Sequence, residues 1–135
     1  MEEQEKRDLF RAAKDALKNS YAPYSGCHVG AALLAEDGTV YTGVNVENAS
    51  YGATICAERT ACVRAVADGC RSFRAIAVTS DQGEAPMCGI CRQFLSEFAP
   101  DLLVIGGADE DHMTEQTLGE LLPSRFLLKK KGETI

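Results

Sequence analysis

The chain has 135 residues, of which 45% are hydrophobic and 25% charged, and its net charge is −6. One domain of this size buries about 70% of its unfolded surface, so no disulfide framework is needed. The acidic balance argues against a surface that follows nucleic-acid phosphates, and no apolar run approaches the roughly 20 residues of a membrane span. The charged N-terminus, MEEQEKRDLF, is unlike a signal peptide. We therefore expect one cytoplasmic domain, residues 1–135, with reduced thiols.

The first half of the chain predicts a helix followed by a hairpin. Residues 3–19 carry apolar side chains at helical spacing, which indicates an amphipathic helix. Residues 28–46 form two β-rich runs around the dipeptide Asp37-Gly38. That dipeptide favours a tight turn in which both residues have positive φ, so we expect two antiparallel strands.

The second half alternates helices and strands. Helical periodicity runs from Cys56 to Asp68, and Gly69 is placed to end that helix in the left-handed region. Thr117 and Glu120 have capping-box spacing before a short final helix. Between the helix that begins at Cys56 and this final helix, we expect a strand at 73–80, a helix at 89–98 and a strand buried on both sides at 101–107. This order predicts an α/β fold, a three-layer α/β/α sandwich around a central mixed β-sheet.

Three cysteines stand at two loop-to-helix junctions. Cys56 begins one predicted helix, and Cys88 and Cys91 begin the next. The unpaired N–H groups of a helix N-terminus favour thiolate, and two adjacent junctions bring three thiolates to one point. A catalytic zinc takes three protein ligands and leaves the fourth position for water. Because neither His28 nor His112 has ligand spacing, the pattern predicts an open zinc site.

Two other functions fit parts of this pattern. Cys88 and Cys91 alone equally fit the redox pair of a thiol–disulfide oxidoreductase. A zinc-stapled binding module without catalysis would use the same cysteines, but it has no role for Glu58 beside an open zinc position. Cys62 and Cys70 have no cluster spacing, and we expect them to be packing residues.

The two cysteine stretches, CAERTA at 56–61 and CGICRQ at 88–93, resemble the zinc-dependent cytidine deaminases of the small homotetrameric type. YAPYS, VGAALL, NVENASY and LLPSRF match further blocks of that family in family order, over nearly the whole chain. The resemblance implies a cytidine deaminase-like fold and a homotetramer with shared active sites. It also implies pyrimidine salvage, by hydrolytic deamination of cytidine and 2′-deoxycytidine to uridine and 2′-deoxyuridine with release of ammonia.

The resemblance assigns the reacting centre to two short stretches. It implies that Cys56, Cys88 and Cys91 hold Zn²⁺. Glu58 is expected to be the catalytic proton shuttle and not a ligand, because deamination moves protons between water, ring nitrogen and the leaving amine. Arg59 is expected to donate to a ligating sulfur and so offset the excess charge of three thiolates on one Zn²⁺.

The resemblance also implies how substrate is bound. Asn45 and Glu47 match the family pair that grips the ribose hydroxyls, and Ala57 contributes backbone groups to the base. Tyr51 and Phe126 match residues that reach the site of a neighbouring subunit. These assignments make the pocket dependent on assembly.

Two positions depart from the family pattern. Cys27 stands where the family places a phenylalanine that stacks on the base, and Met87 stands where proline usually precedes the first cysteine of C-x-x-C. The missing ring raises the alternative of a modified cytosine nucleoside such as blasticidin S. Asn45 and Glu47 favour an ordinary sugar.

Overall fold

Five strands form one mixed sheet in the computed structural model, which describes residues 1–133. In chain order they are β1 (Val29–Ala35), β2 (Val40–Val44), β3 (Phe73–Ser80), β4 (Leu103–Gly107) and β5 (Met113–Thr117). The spatial order is β2-β1-β3-β4-β5. β3 and β4 are parallel and the other neighbouring pairs are antiparallel. A parallel pair requires a crossover, and the helix that makes this crossover begins with Cys88 and Cys91.

Helices cover both faces of the sheet. They are α1 (Glu3–Ala16), α2 (Ala57–Ala67), α3 (Gly89–Ser96) and α4 (Leu118–Leu121). α1 packs on one face through a cluster that includes Phe10, Ala13 and Ile105. The other three helices share the second core on the opposite face, which includes Leu33 and Ile76. The predicted three-layer α/β/α architecture is confirmed. Within residues 1–133, none of these helices combines the length and the hydropathy needed to cross a membrane.

The limits of α2 follow the sequence signals. Cys56 is the N-cap, in an extended conformation with φ −72° and ψ 154°. At the other end Gly69 has φ +90°. Its N–H donates to Val66 O at 3.0 Å, and the N–H of Cys70 donates to Ala65 O at 2.9 Å. These two bonds form a Schellman motif, which requires the left-handed residue that glycine supplies.

Three other predicted elements are slightly shorter than expected. The first helix ends at Ala16 and continues as a 3₁₀ turn over Leu17–Asn19. α3 ends at Ser96, and β4 begins at Leu103. Ile105 of β4 is buried, whereas Leu103 and Val104 are half-buried. The strand is therefore less buried than the sequence analysis predicted.

The hairpin turn differs from the prediction. The loop between β1 and β2 spans residues 36–39, and the N–H of Ala35 donates to Thr39 O at 2.8 Å. Gly38 has φ +93°, but among residues 1–133 no residue other than glycine has positive φ. The expectation for Asp37 was wrong because its carboxylate instead accepts the N–H of Thr39 at 2.9 Å. This local bond stabilises a longer turn.

β5 was missed by the sequence analysis. Its residues, MTEQT, are mostly exposed and do not alternate apolar with polar side chains. The strand forms because β4 presents a free edge, and five residue pairs register antiparallel from Leu103–Thr117 to Gly107–Met113. Backbone pairing at an edge needs no hydrophobic signal, and polar side chains are typical of edge strands.

Gly43 determines how closely α2 approaches the sheet. A Cβ atom at this position would lie 2.4 Å from both Ala57 O and Ala61 N. The helix presents only small side chains there, since Ala57, Ala61 and Ala65 are fully buried. The first turn of α2, which carries the predicted catalytic residues, therefore rests directly on the backbone of β2.

We predict that Gly43→Ala lowers the free energy of unfolding by about 1–3 kcal/mol, because overpacking forces backbone to move. The displaced helix begins at Cys56, so zinc content should fall as well. Gly119→Ala is the matched control, because its Cβ would lie 3.6 Å from Pro100 O, an ordinary contact. Urea denaturation and metal analysis of both variants test this. Equal stability of Gly43→Ala and wild type would contradict the close packing.

Candidate metal centre and substrate cleft

Three thiols converge where the N-termini of α2 and α3 meet. The Sγ atoms of Cys56, Cys88 and Cys91 lie within 4.8 Å of one another, and those of Cys56 and Cys88 are 3.7 Å apart. Cys88 is the N-cap of α3 and Cys91 its third residue. All three predicted zinc ligands are therefore brought together by two helix starts. We call them the three-cysteine cluster.

The geometry of the three-cysteine cluster fits zinc. Tetrahedral zinc with Zn–S bonds of about 2.3 Å holds its sulfurs about 3.8 Å apart, close to the 3.7 Å between Cys56 and Cys88. In residues 1–133 no histidine or carboxylate joins the cluster as a fourth ligand. Three sulfurs with one position left over form the donor set of a catalytic zinc and not of a closed structural one.

Hydrogen bonds inside the cluster already favour one thiolate. The thiol of Cys91 donates to the sulfur of Cys56, which with the bonds from Arg59 and Cys88 lowers the pKa of Cys56 to about 5. The same bond and burial raise the pKa of Cys91. A thiolate at the N-terminus of α2 is also stabilised by the positive end of the helix dipole.

Arg59 lies against the sulfurs. Its Nη2 donates to Cys56 Sγ at 3.6 Å and to Thr54 O at 3.4 Å. Its Nε is buried, and among residues 1–133 it has no hydrogen-bond partner. An unpaired buried donor costs stability. The positive guanidinium thus lies beside the sulfur of Cys56, as the predicted role of Arg59 requires.

Glu58 follows Cys56 by two residues and points into the protein. Its side chain is only 4% exposed. Burial raises the pKa of this carboxyl to about 7, and the negative charge of Cys56 adds to the effect. A buried carboxyl with this pKa can take and release a proton near neutral pH.

A cleft of about 500 Å³ opens directly beside the cluster, and we call it the central cleft. Asn45, Ala57 and Glu58 line it together with two of the cysteines, and the remaining lining residues were missed by the sequence analysis. These lining residues are Val29, Thr54, Ala85 and Pro86. Only Pro86 had a sequence signal, its position just before C-x-x-C; strand register and loop path bring the others to the cleft.

A second cleft, of about 450 Å³, lies behind the loop that contains Ala85 and Pro86. It is lined by residues of β4 and β5 and contains none of the predicted site residues. The central cleft is the candidate active site because Cys56, Cys88 and Glu58 all line it.

Asn45 is held in one orientation. Its Oδ1 accepts the N–H of Val29 at 2.9 Å and the hydroxyl of Ser20, and its Nδ2 donates to Cys27 O at 2.8 Å. An amide nitrogen has two hydrogens, so one N–H remains available in the central cleft. The role of Ser20 had no signal in the sequence.

Glu47 is buried beside the loop 23–26. Its Oε1 accepts the N–H groups of Tyr24 and Ser25 at 2.9 and 3.1 Å, and its Oε2 accepts the hydroxyl of Ser25 at 2.5 Å. These bonds hold the pKa of Glu47 below its usual range, the Ser25 hydroxyl contributing most. A carboxylate has about four acceptor positions, so one remains free.

Four predicted substrate residues do not line the central cleft in the single chain: Glu47, described above, and Cys27, Tyr51 and Phe126. Cys27 is half-buried, with its N–H bonded to Ser25 Oγ at 3.0 Å. Tyr51 and Phe126 are 73% and 64% exposed. The ring of Tyr51 makes an edge contact with Tyr24, with 6.1 Å between centroids.

The other two cysteines belong to the core on the α2 face. Cys62 is fully buried, and burial raises the pKa of its thiol to about 11. Cys70 is half-buried and packs against the same core. The expectation that both are packing residues is confirmed.

Comparison with known proteins gives a consistent result. The family model described as "Cytidine and deoxycytidylate deaminase zinc-binding region" matches residues 3–107. A cytidine deaminase of Sporosarcina psychrophila is 47% identical over 120 residues, covering 87% of this chain and 88% of the relative. The crystal structure of a cytidine deaminase from Burkholderia pseudomallei superposes with a TM-score of 0.83 at 46% identity, covering 88% of this chain and 97% of that one.

A more distant relative has a different substrate in its name. The blasticidin-S deaminase of Bacillus cereus is 31% identical over 108 residues, covering 73% of this chain and 76% of the relative.

We predict that the purified protein binds one zinc per chain through three sulfurs and one oxygen. X-ray absorption spectroscopy measures this coordination directly. Cys88→Ser should lose the metal, whereas Cys70→Ser, the control outside the cluster, should keep it. Four sulfurs in the coordination sphere, or no bound metal, would rule out the open site.

Proposed function

The chain belongs to the cytidine and deoxycytidylate deaminase family, and we propose that residues 1–135 act as one catalytic domain that deaminates cytidine and 2′-deoxycytidine. The products are uridine, 2′-deoxyuridine and ammonia. The observation that carries the proposal is the central cleft, where the three-cysteine cluster and the buried Glu58 meet in a space of about 500 Å³. The chain is similar to proteins named cytidine deaminase over most of their length.

Cys56, Cys88 and Cys91 are the proposed zinc ligands. Zinc, when bound there, supplies a Lewis acid that lowers the pKa of a water molecule from 15.7 toward about 7. Arg59 donates to Cys56 and limits the charge that three thiolates place on the metal. This keeps the water acidic enough to attack.

Glu58 is the proposed proton carrier. Water adds to C4 of the cytosine ring while the carboxylate takes the water proton and delivers it to ring N3. Glu58 then takes the proton of the new C4 hydroxyl and passes it to the amino group, so that C4=O forms as the C4–N bond breaks and ammonia leaves. A single carboxyl serves both transfers because it lines the central cleft next to the ligand Cys56.

Asn45 and Glu47 are the proposed ribose ligands, and the Ala57 backbone is proposed to contact the base. Asn45 retains one N–H toward the central cleft, and Glu47 retains one acceptor position. An N–H and a carboxylate oxygen match a sugar hydroxyl, which both accepts and donates.

The assembly we propose is a homotetramer in which each active site borrows side chains from a neighbour. Tyr51 and Phe126 are exposed aromatic rings that the single chain leaves outside its own cleft. Large exposed rings are typical of protein–protein contact surfaces. We place the enzyme in cytoplasmic pyrimidine salvage, with no nucleic-acid or membrane partner.

Cys27 supports a second candidate substrate. A thiol does not stack on a pyrimidine, so the site accommodates a base that carries more bulk or another substituent. A relative 31% identical to this chain is named blasticidin-S deaminase. A modified cytosine nucleoside is therefore the alternative within the same chemistry.

A thiol–disulfide oxidoreductase is the alternative from another class. It would use Cys88 and Cys91 alone. The approach of Cys56 to within 3.7 Å of Cys88, with Arg59 against its sulfur, favours metal binding because a redox pair needs no third thiol.

The direct test of the proposed function is ultraviolet detection of cytidine loss by the zinc-loaded protein, with ammonia measured in parallel. A panel of cytidine, 2′-deoxycytidine, 5-substituted cytidines and blasticidin S ranks the candidate substrates by kcat/KM. Absence of ammonia from every member of the panel would refute the deaminase proposal.

We predict that Glu58→Gln keeps the fold and the zinc but loses nearly all turnover. Glutamine has the same shape and cannot carry the proton. General acid–base groups contribute roughly 10²–10⁴-fold, and the loss should reach the upper end because two transfers depend on Glu58. Glu36→Gln in the exposed hairpin loop is the control and should keep wild-type kcat. A Glu58→Gln enzyme with a tenth of wild-type activity would exclude this role.

We predict that Cys27→Phe lowers KM for cytidine. Base–aromatic stacking is worth about 1–3 kcal/mol, which corresponds to roughly a five- to 150-fold change in affinity. If wild type prefers a bulkier base, the variant should lose activity on that base while it gains affinity for cytidine. Steady-state kinetics on cytidine and 5-substituted cytidines distinguish these cases. An unchanged or raised KM for cytidine in a folded variant would show that Cys27 does not mark a missing stacking ring.

A further inference from the structure

Side chains of α3 form hydrogen bonds to the backbone of the segment that contains Phe126. Gln93 Nε2 donates to Phe126 O at 2.9 Å, and Gln93 Oε1 accepts the N–H of Phe126 at 3.2 Å. The side-chain amide thus pairs with both backbone groups of one residue, as a neighbouring β-strand would. Among the described residues, no other group bonds to the backbone of Phe126.

Two arginines make further hydrogen bonds between this segment and α3 or the loop before it. Arg92 donates from Nη1 to Leu121 O and from Nε to Met87 O, both at 3.0 Å. Arg125 donates to Ser96 O at the last turn of α3. The segment from Leu121 to Phe126 therefore lies along α3 at three points.

The ring of Phe126 has no comparable support. Its side chain is 64% exposed, and the described residues place it in neither core cluster. Packing within the single chain therefore does not set the direction of this ring. The backbone pair with Gln93 instead fixes the main chain from which the ring projects.

α3 joins this pair to the metal centre. Cys88 and Cys91 begin the helix and Gln93 lies two residues further on. At 1.5 Å per residue, about 7 Å of one rigid helix separates Cys88 from Gln93. The backbone of Phe126 is therefore held by the same helix that carries two of the three sulfurs.

We propose that Gln93 is a positioning residue for the shared active site, which holds the backbone of Phe126 in the place from which its ring completes the neighbouring subunit's pocket. The proposal rests on the role given to Phe126 under the proposed function. Fixing the ring before the subunits meet lowers the conformational entropy that assembly and substrate binding would otherwise lose.

The test combines hydrogen exchange with a double-mutant cycle. In Gln93→Leu, which keeps apolar bulk but removes the hydrogen-bonding amide, exchange of the Phe126 amide should accelerate on the order of tenfold, because the bond that protects this N–H is lost. Gln4→Leu is the matched control. Gln4 is an exposed glutamine whose amide bonds Asp8 on α1, so its loss should leave Phe126 exchange and KM unchanged.

The kinetic arm measures KM for cytidine in Gln93→Leu, Phe126→Ala and the double variant. Loss of the aromatic contact in Phe126→Ala should raise KM roughly two- to tenfold. Gln93→Leu should reproduce part of that rise with normal zinc content, and the double variant should be no worse than Phe126→Ala. This non-additivity separates positioning through Phe126 from a general loss of structure.

The possible failures are distinguishable. Unchanged exchange of the Phe126 amide in Gln93→Leu would refute the backbone pair itself. Fully additive rises in KM would show that Gln93 acts independently of Phe126. A wild-type KM in Phe126→Ala would refute the shared pocket, and the exchange data would then stand as a separate result on the segment.

Discussion

The convergence of three sulfur atoms on one point is the constraint on which the rest of this structure depends. Negative charge gathers at this point, because Cys56 already favours the thiolate and a metal would be held by all three sulfurs, and this charge needs compensation from its surroundings. Two helix N-termini supply oriented N–H groups, and Arg59 supplies a full positive charge. The guanidinium of Arg59 reaches Cys56 from within the same helix, three residues further along α2.

The sheet provides the geometry that this convergence requires. α2 lies directly on β2 because Gly43 has no side chain and the helix presents alanines to it. α3 is the crossover between parallel strands, which directs its N-terminus to the same region. A small-residue contact on one side and a topological rule on the other thus determine the distance between the two helix starts, and with it the distance between Cys56 and Cys88.

The side of the site that binds substrate is constructed differently from the metal side. Asn45 and Glu47, the proposed ribose ligands, are fixed by bonds to backbone groups and to Ser20 and Ser25, so they would bind substrate without a further loss of side-chain freedom. The aromatic side chains are exposed and lie outside the central cleft. The single chain therefore carries a rigid polar half of the pocket, and the proposal of a shared site assigns the aromatic half to assembly.

Much of the fold and of the reacting centre could be predicted from the sequence because the relevant signals are local. Helical spacing, the glycine after Asp68 and the capping box at Thr117 identified elements that the structure confirms. The order of cysteines and carboxylate between helix starts, together with the family resemblance, predicted a zinc-dependent deaminase. β5 escaped prediction because its pairing comes from the free edge of β4 and not from its own side chains.

Only the tertiary structure decided which segments distant in the chain contact one another. Ser20 holds Asn45 across 25 residues, and Gln93 holds Phe126 across 33. No periodicity or motif encodes such pairs, because strand register and helix packing determine which backbone groups meet. The sequence by itself determined the family and predicted which residues carry the chemistry, since the types and spacing of those residues at the helix starts are local signals. The fold decided where substrate has room and which side chains fix the groups around it, because these depend on distances between elements.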